Sequence, residues 1–316
     1  MSDIKPIPGT IAKRARIPLL AGILLVAIPT FAETAPPYEI PVLVVAYFPV
    51  KDGNIDLAVT GDVTGPLDTI RDKTKTLTND IAAALEDGSR YQGYKDPAAM
   101  PNLKYTFVDT LEFLEPLPTR HKPFVQVPFT DYNAIMERIG IQRWVEEKGV
   151  KEVWLWAYHG NKVGLWESNM AGPHGDISNS DRAPRDLPLL AKTYTVYHYN
   201  YQRGASEAVE DHMHQIEALL NWADGRDKTP KDQWSTLLFW GKFVGSDATN
   251  RLVHPGCGWA HYPPNGEKDY DWNNPRQVLT DINDWRPDGT GQKTLMDSAP
   301  WQGQSLRWFV YWMQHL

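Results

Sequence analysis

Between residues 193 and 222 the chain reads TYTVYHYNYQRGASEAVEDHMHQIEALLNW, and the second half of that stretch is dense in groups that titrate or bind metal. The aromatic, β-branched half breaks at Gly204, where a helix is expected to begin. At about 100° per residue, Val209, Met213, Ile216 and Leu220 share one helix face, an apolar stripe suited to packing on a sheet. Glu207, Glu210, His214 and Glu217 share another face. His212 falls on the far flank of the stripe, so His212 and His214 cannot serve one ion from a regular helix. His214 and Glu217, three residues apart, can. Together with His261, set between a Gly-rich approach and a rigid Pro-Pro pair, they form a candidate divalent metal site that leaves a coordination position for water. No HExxH or CxxC spacing accompanies it. The plain alternative is a solvated helix face, because acids in the first turns suit the helix dipole.

Carboxylate pairs offer a second chemistry. Glu167 and Glu207 lie just beyond expected strand ends among aromatic residues, and are candidates for the acid/base pair of a glycoside hydrolase. His159, Asn169, Asn200, Tyr201 and Arg203 are candidate substrate-binding residues beside them, with Arg90 and Tyr91 of GSRYQGYKDP reaching towards the ligand. Cys257, between Gly256 and Gly258 and with His254 or His261 to serve it, is a nucleophile or, more commonly for a lone cysteine, a buried thiol. Asn265, Glu267, Asp269, Asp271 and Asn273 alternate like the start of a calcium loop, but the glycine and glutamate that such a loop needs are missing. There is no GxSxG elbow and no glycine-rich phosphate loop, so no nucleotide cofactor is expected.

Those side chains need a scaffold to bring them together. VLVVAYFPV (42–50) is a continuous apolar run of strand length, the pattern of a strand covered on both faces. PLDTIRDKTKTLTNDIAAALEDG (66–88) predicts a helix, KYTFVDTLEFL (104–114) a strand, and YNAIMERIGIQRWVEEKG (132–149) a helix closed by Gly149. KEVWLWAY (151–158) predicts another strand, followed by a Gly, Asn, Ser and Pro-rich loop over 159–190. The quoted stretch adds one more strand and helix, and SLRWFVYWMQHL a final helix. This alternation predicts the α/β class, with a mostly parallel sheet, flanking helices and a loop-rich C-terminal part at about 248–303. One domain is expected over 33–316. Open α/β sheets carry their sites beyond the carboxyl ends of the strands, where His159, Glu167, Asn200 and Arg203 fall.

Near the N-terminus Lys13, Arg14 and Arg16 precede the apolar run IPLLAGILLVAIPTFA, which ends at Ala32. Basic residues, a short apolar core and a small-residue exit predict a signal peptide over 1–32 and a secreted or periplasmic protein; an uncleaved anchor is the alternative. No later segment is apolar enough to span a bilayer, so no stable membrane insertion is expected after cleavage. With one cysteine the chain has no intrachain disulfide, and its stability must come from packing. A net charge of −7 with dispersed lysines and arginines argues against nucleic acid or an anionic membrane as partner. Thirteen tryptophans serve either core packing or stacking on sugar rings, and composition alone favours packing.

The segments ESNM, GDISNSDR, EDHMHQIE and HYPPN resemble stretches of exported bacterial proteins of no assigned function, over roughly residues 150–290, and the resemblance brings no activity with it. Three readings follow for a small-molecule or polysaccharide ligand. The first is an exported glycan hydrolase acting through Glu167 and Glu207. The second is a non-catalytic carbohydrate-binding or surface protein. The third is a metal-dependent hydrolase centred on His214, Glu217 and His261.

Overall fold

The run from Val42 to Phe48 has no charged side chain and a single hydroxyl, that of Tyr47, and all seven of its residues are buried in or just beyond strand β1 (Tyr38–Tyr47). The computed structural model describes residues 35–316 apart from 124, 161, 165 and 180–184, so the expected signal peptide lies outside the described residues. Helix α1 (Leu67–Gly88) carries the chain back along the sheet to β2 (Leu103–Phe113), parallel to β1. Helix α2 (Tyr132–Ile139) leads to β3 (Glu152–Ala157), parallel to β1 on its other side. β4 (Ser168–Ala171) and β5 (Tyr194–Asn200) complete a five-stranded sheet in the order β2-β1-β3-β5-β4, in which only β4 runs antiparallel. Helix α3 (Ala205–Ala223) leaves β5, and α4 (Ser305–Met313) ends the regular structure. The fold is α/β with a mostly parallel sheet. The smaller sheets are antiparallel, among them Val278–Thr280 paired with Thr294–Met296.

Alternation along β5 sends neighbours to opposite faces. The Tyr197 ring stacks on His212 of α3 at 3.7 Å between centroids, whereas His198 meets Tyr132 of α2 on the other face at 3.0 Å. Helices therefore cover both faces. The α3 stripe packs inward as its spacing predicts: Val209 and Met213 are fully buried, and Ile216 and Leu220 rest against the core. The segment 132–149 departs from a single helix. Gly140, at φ +63°, takes the left-handed conformation that ends α2, and a π-helical turn over Arg143–Glu147 follows.

Trp154, Trp156, Trp166, Trp240, Trp259, Trp301, Trp308 and Trp312 are all buried, so most of the tryptophan content packs the interior. Among the described residues no helix is long and apolar enough to cross a membrane.

One half-buried acid gives the fold a pH dependence. Glu152 opens β3 between Val42 and Thr195, and its Oε2 accepts the Trp154 indole N–H at 2.8 Å. Burial pushes its carboxyl up to about 7. A folded-state value above the unfolded 4.5 means that the folded chain holds the proton more tightly, so stability falls as pH rises from 4.5 to about 7. Glu152→Gln keeps the acceptor oxygen and removes the charge. Because Glu152 is only half-buried, a gain of about 2 kcal/mol is expected above pH 7 and almost none at pH 4.5, measured by urea unfolding at the two pH values.

Candidate metal centre

Helix α3 starts at Gly204, directly beyond the carboxyl end of β5, and its second polar face is not left to solvent. The segment Trp259–His261 lies over it. The backbone N–H of Ala260 donates to Glu217 Oε1 at 2.8 Å, and His214 and Glu217 are both buried. Three indoles hold that segment in place: Trp272, Trp308 and Trp312 donate their N–H groups to the carbonyls of Ala260, Trp259 and Gly258 at 3.0, 3.1 and 2.9 Å. His261 is also clamped between the rings of Trp259 and Tyr270, with centroids at 4.6 and 4.3 Å.

This arrangement brings Glu210, His214 and His261 to a point. His214 Nε2 and His261 Nε2 are 3.1 Å apart, and Glu210 Oε1 lies 3.6 Å from the first and 3.1 Å from the second. Donors about 2.0–2.1 Å from a tetrahedral zinc ion stand roughly 3.3 Å from one another, so this triangle fits such an ion. The far nitrogens agree. His214 Nδ1 faces Glu217 Oε2 at 3.0 Å, and His261 Nδ1 faces Asp269 Oδ1 at 2.9 Å. A carboxylate on each Nδ1–H leaves both Nε2 lone pairs directed at one spot together with a carboxylate oxygen. Three acceptors this close repel unless a cation or a proton lies between them. In the metal-free chain protons fill that role. Burial works against the charged form of His214, yet the bonds to Glu210 and Glu217 hold its proton well above the usual histidine range. Burial would raise Glu210, but its bonds to His214 and His261 hold it at about 2.

Of the expected trio, His214 and His261 belong to this triangle, while Glu217 lies behind His214, bonded to its Nδ1. Glu210 takes the third position. Its spacing to His214, i and i+4 on one helix face, is the signal that could have found it. Tyr270 gave no such signal. Its ring lies on His261, its backbone is held at φ +59°, and burial raises its hydroxyl to about 12, with the bond to Glu210 adding to the rise.

His159, Glu167, Asn200, Arg203 and Glu207 do come together, lining one cavity of about 170 Å³ beyond the ends of β3 and β5. Glu207 also caps α3, because its Oε2 accepts the Gly204 N–H at 3.2 Å, and Glu167 Oε2 accepts from the Asn179 amide at 2.6 Å. Among the further lining residues are His198 and Asp211, which the sequence did not single out. Burial keeps His198 neutral, lowering it to about 3. Tyr132 donates its hydroxyl to the Trp166 carbonyl at 3.1 Å, so His198 Nδ1 donates to Tyr132 and its Nε2 is a bare acceptor. Asp211 also lines the cavity, its carboxyl raised by burial and then by Glu167.

The remaining candidates lie elsewhere. Arg90 and Tyr91 follow the end of α1, where Ser89 meets Asn102 at the amino end of the sheet, and Arg90 is bonded to Ala99 and Asp87. A helix that crosses back between parallel strands must end there, opposite the site. Asn169 on β4 lines a separate cavity of about 250 Å³, and Tyr201 is fully buried against Phe48. Cys257 is fully buried, which pushes its thiol up and away from the nucleophilic form. In the alternating acidic loop, Asp271 accepts the Glu267 N–H and the Asn274 amide, and Asp269 is bonded to His261.

No protein-family model matches the chain, and no curated protein matches it.

Proposed function

We propose that this protein is an exported metal-dependent hydrolase acting on an acyl (ester or amide) bond, with Glu210, His214 and His261 as the metal ligands. The observation that carries this reading is the 3.1–3.6 Å triangle of donor atoms backed by a carboxylate on each histidine. Three protein donors leave a fourth position open, the arrangement of catalytic rather than structural sites. A divalent ion held there would activate water and polarise a carbonyl. The chain's own groups do the rest. Glu217 and Asp269 fix the two imidazoles, and the cavity lined by His159, Glu167, Asn200 and Arg203 offers polar contacts to the substrate. Water oxygen joins the carbonyl carbon, the bond to the leaving oxygen or nitrogen breaks, and that atom takes up a proton as the carboxylic acid departs. The basic and apolar pattern before Ala32 supports export.

A second reading, glycoside hydrolysis by Glu167 and Glu207, is favoured by the single cavity that both line. One comparison separates the two. Zinc-loaded protein is assayed on 4-nitrophenyl acyl esters and on 4-nitrophenyl glycosides, with and without chelator, in wild type, His261→Ala and Glu167→Gln. Ester turnover lost with chelator and in His261→Ala is expected. Glycoside turnover that ignores chelator and vanishes in Glu167→Gln would put the carboxylate pair first. Ligand affinity without turnover on either substrate would leave the binding-protein reading.

A further inference from the structure

Two of the three groups in the triangle have a carboxylate behind them, Glu217 on His214 at 3.0 Å and Asp269 on His261 at 2.9 Å. Glu210 needs a partner for a different reason, because a carboxylate can give an ion one oxygen or both. The residue in place is Tyr270. Its hydroxyl is hydrogen-bonded to Glu210, and its ring lies on His261 with centroids 4.3 Å apart. One side chain therefore touches a group from α3 and a group from the turn that carries His261.

The backbone at Tyr270 is strained to make that contact. It sits at φ +59°, a left-handed conformation that a tyrosine rarely adopts. Packing does not account for the strain, since 48% of the residue is exposed. The chain on both sides holds it there. The Tyr270 N–H donates to the His261 carbonyl at 3.0 Å, and Asp269 before it reaches His261 Nδ1. After it, Asp271 Oδ2 accepts the Glu267 N–H at 2.9 Å, and the Trp272 indole donates to the Ala260 carbonyl at 3.0 Å. Strain of this kind persists only where neighbours impose it, and it gathers at functional sites. The alternating acidic loop thus brings Asp269 to one member of the triangle and Tyr270 to another.

We infer that Tyr270 is the positioning residue of Glu210: its hydroxyl, donating to the carboxylate, holds Glu210 to a single oxygen on the metal and so keeps the fourth position open for water. The inference rests on the metal-hydrolase reading and deepens it. A phenolic hydroxyl donates to a carboxylate, and an oxygen engaged in that bond is a poorer ligand. A carboxylate with both oxygens free can close on the ion and take the place that the water needs. Neither histidine presents this problem, since each turns one nitrogen to the triangle.

The test uses protein stripped of metal and reloaded with cobalt(II), whose visible bands report coordination number. Wild type is compared with Tyr270→Phe, which keeps the ring on His261 and loses the hydroxyl. Tyr91→Phe, which removes the hydroxyl of an exposed tyrosine at the amino end of the sheet, is the control. All three are expected to take up one cobalt per chain, with an affinity within about ten-fold of one another. Wild type and Tyr91→Phe should show the intense absorption of four-coordinate cobalt, and Tyr270→Phe the weaker, shifted bands of five-coordinate cobalt. An unchanged spectrum in Tyr270→Phe, or a wild type already five-coordinate, would overturn the role of Tyr270 and leave the metal centre standing. So would a Tyr270→Phe that no longer binds metal, because the hydroxyl would then be a support of the His261 turn. A wild type that takes up neither cobalt nor zinc would sink the metal reading itself, and the role of Tyr270 with it.

Discussion

Protein purified without chelator or histidine tag is expected to carry one divalent transition metal per chain, and His214→Ala and His261→Ala to carry none. Two imidazoles and one carboxylate with an open fourth position suit zinc, whose four-coordinate sites take this donor set. The two glutamates flanking His214 should behave differently. Glu210→Ala removes a donor and should abolish binding, whereas Glu217→Gln leaves all three donors and loosens the imidazole that Glu217 orients, weakening affinity by about 10–100-fold. That contrast separates the observed trio from one in which Glu217 is itself a ligand. Metal saturation should also stabilise the fold, by about 2.7 kcal/mol when free metal is 100 times its dissociation constant. Protons compete for the same atoms. His214 is raised, so the stability it lends the metal-free chain is complete below the unfolded 6.5 and fades as pH rises through its folded value. Glu210 is lowered, so its contribution is complete above 4.5 and is lost as pH falls towards about 2. The metal-free site is therefore most stabilising between pH 4.5 and 6.5, and metal affinity should climb as pH rises beyond that window. Elemental analysis of the four variants, with zinc titrations at pH 6 and 8, reads all of this. A wild type that stays metal-free after zinc loading removes the centre.

Gly258→Ala should be strongly damaging. Gly258 sits at φ +75°, and a Cβ there would lie 2.3 Å from the carbonyl oxygen of Tyr262. That carbonyl cannot retreat, because it accepts the Trp259 N–H and closes the turn that carries His261. The Gly258 carbonyl is fixed as well, by the Trp312 indole of α4. We expect a loss of at least about 3 kcal/mol by denaturant unfolding, together with loss of bound metal, because His261 is displaced with its turn. Gly289→Ala is the control. It has the same φ of +75° with nothing within 4 Å of the added atom, so only the left-handed backbone strain of about 1 kcal/mol should appear, with metal retained. Equal losses in the two variants would mean that the close approach at Gly258 relaxes and the turn is not rigid.

What could be read directly from the residues was local. The apolar run at 42–48, the 3.6-residue stripe of Val209, Met213, Ile216 and Leu220, and the alternation of strand and helix led to a mostly parallel α/β sheet, because burial against a sheet is imposed on neighbours a few residues apart. The same logic placed His159, Glu167, Asn200 and Arg203 beyond the strand ends, and they line one cavity. It failed where a contact is set by distant chain. His214 has a glutamate four residues before it and another three residues after it on one face, and nothing within the helix says which of them meets the second histidine. The answer comes from a turn 47 residues further on, which places His261 beside Glu210 and spends Glu217 on the backbone of Ala260. The position of Arg90 and Tyr91 was hidden for a related reason, since a residue just past a helix gives no hint of which end of the sheet it reaches until the crossover is traced. The tryptophan content was legible as packing, but not the use of three indole N–H groups to brace the turn that carries His261. The sequence by itself determined the layers and the strand ends that carry polar groups, because periodicity acts within one element. Only the tertiary structure decided which donors meet, because bringing together residues dozens of positions apart depends on how the intervening chain packs, and no local pattern encodes that.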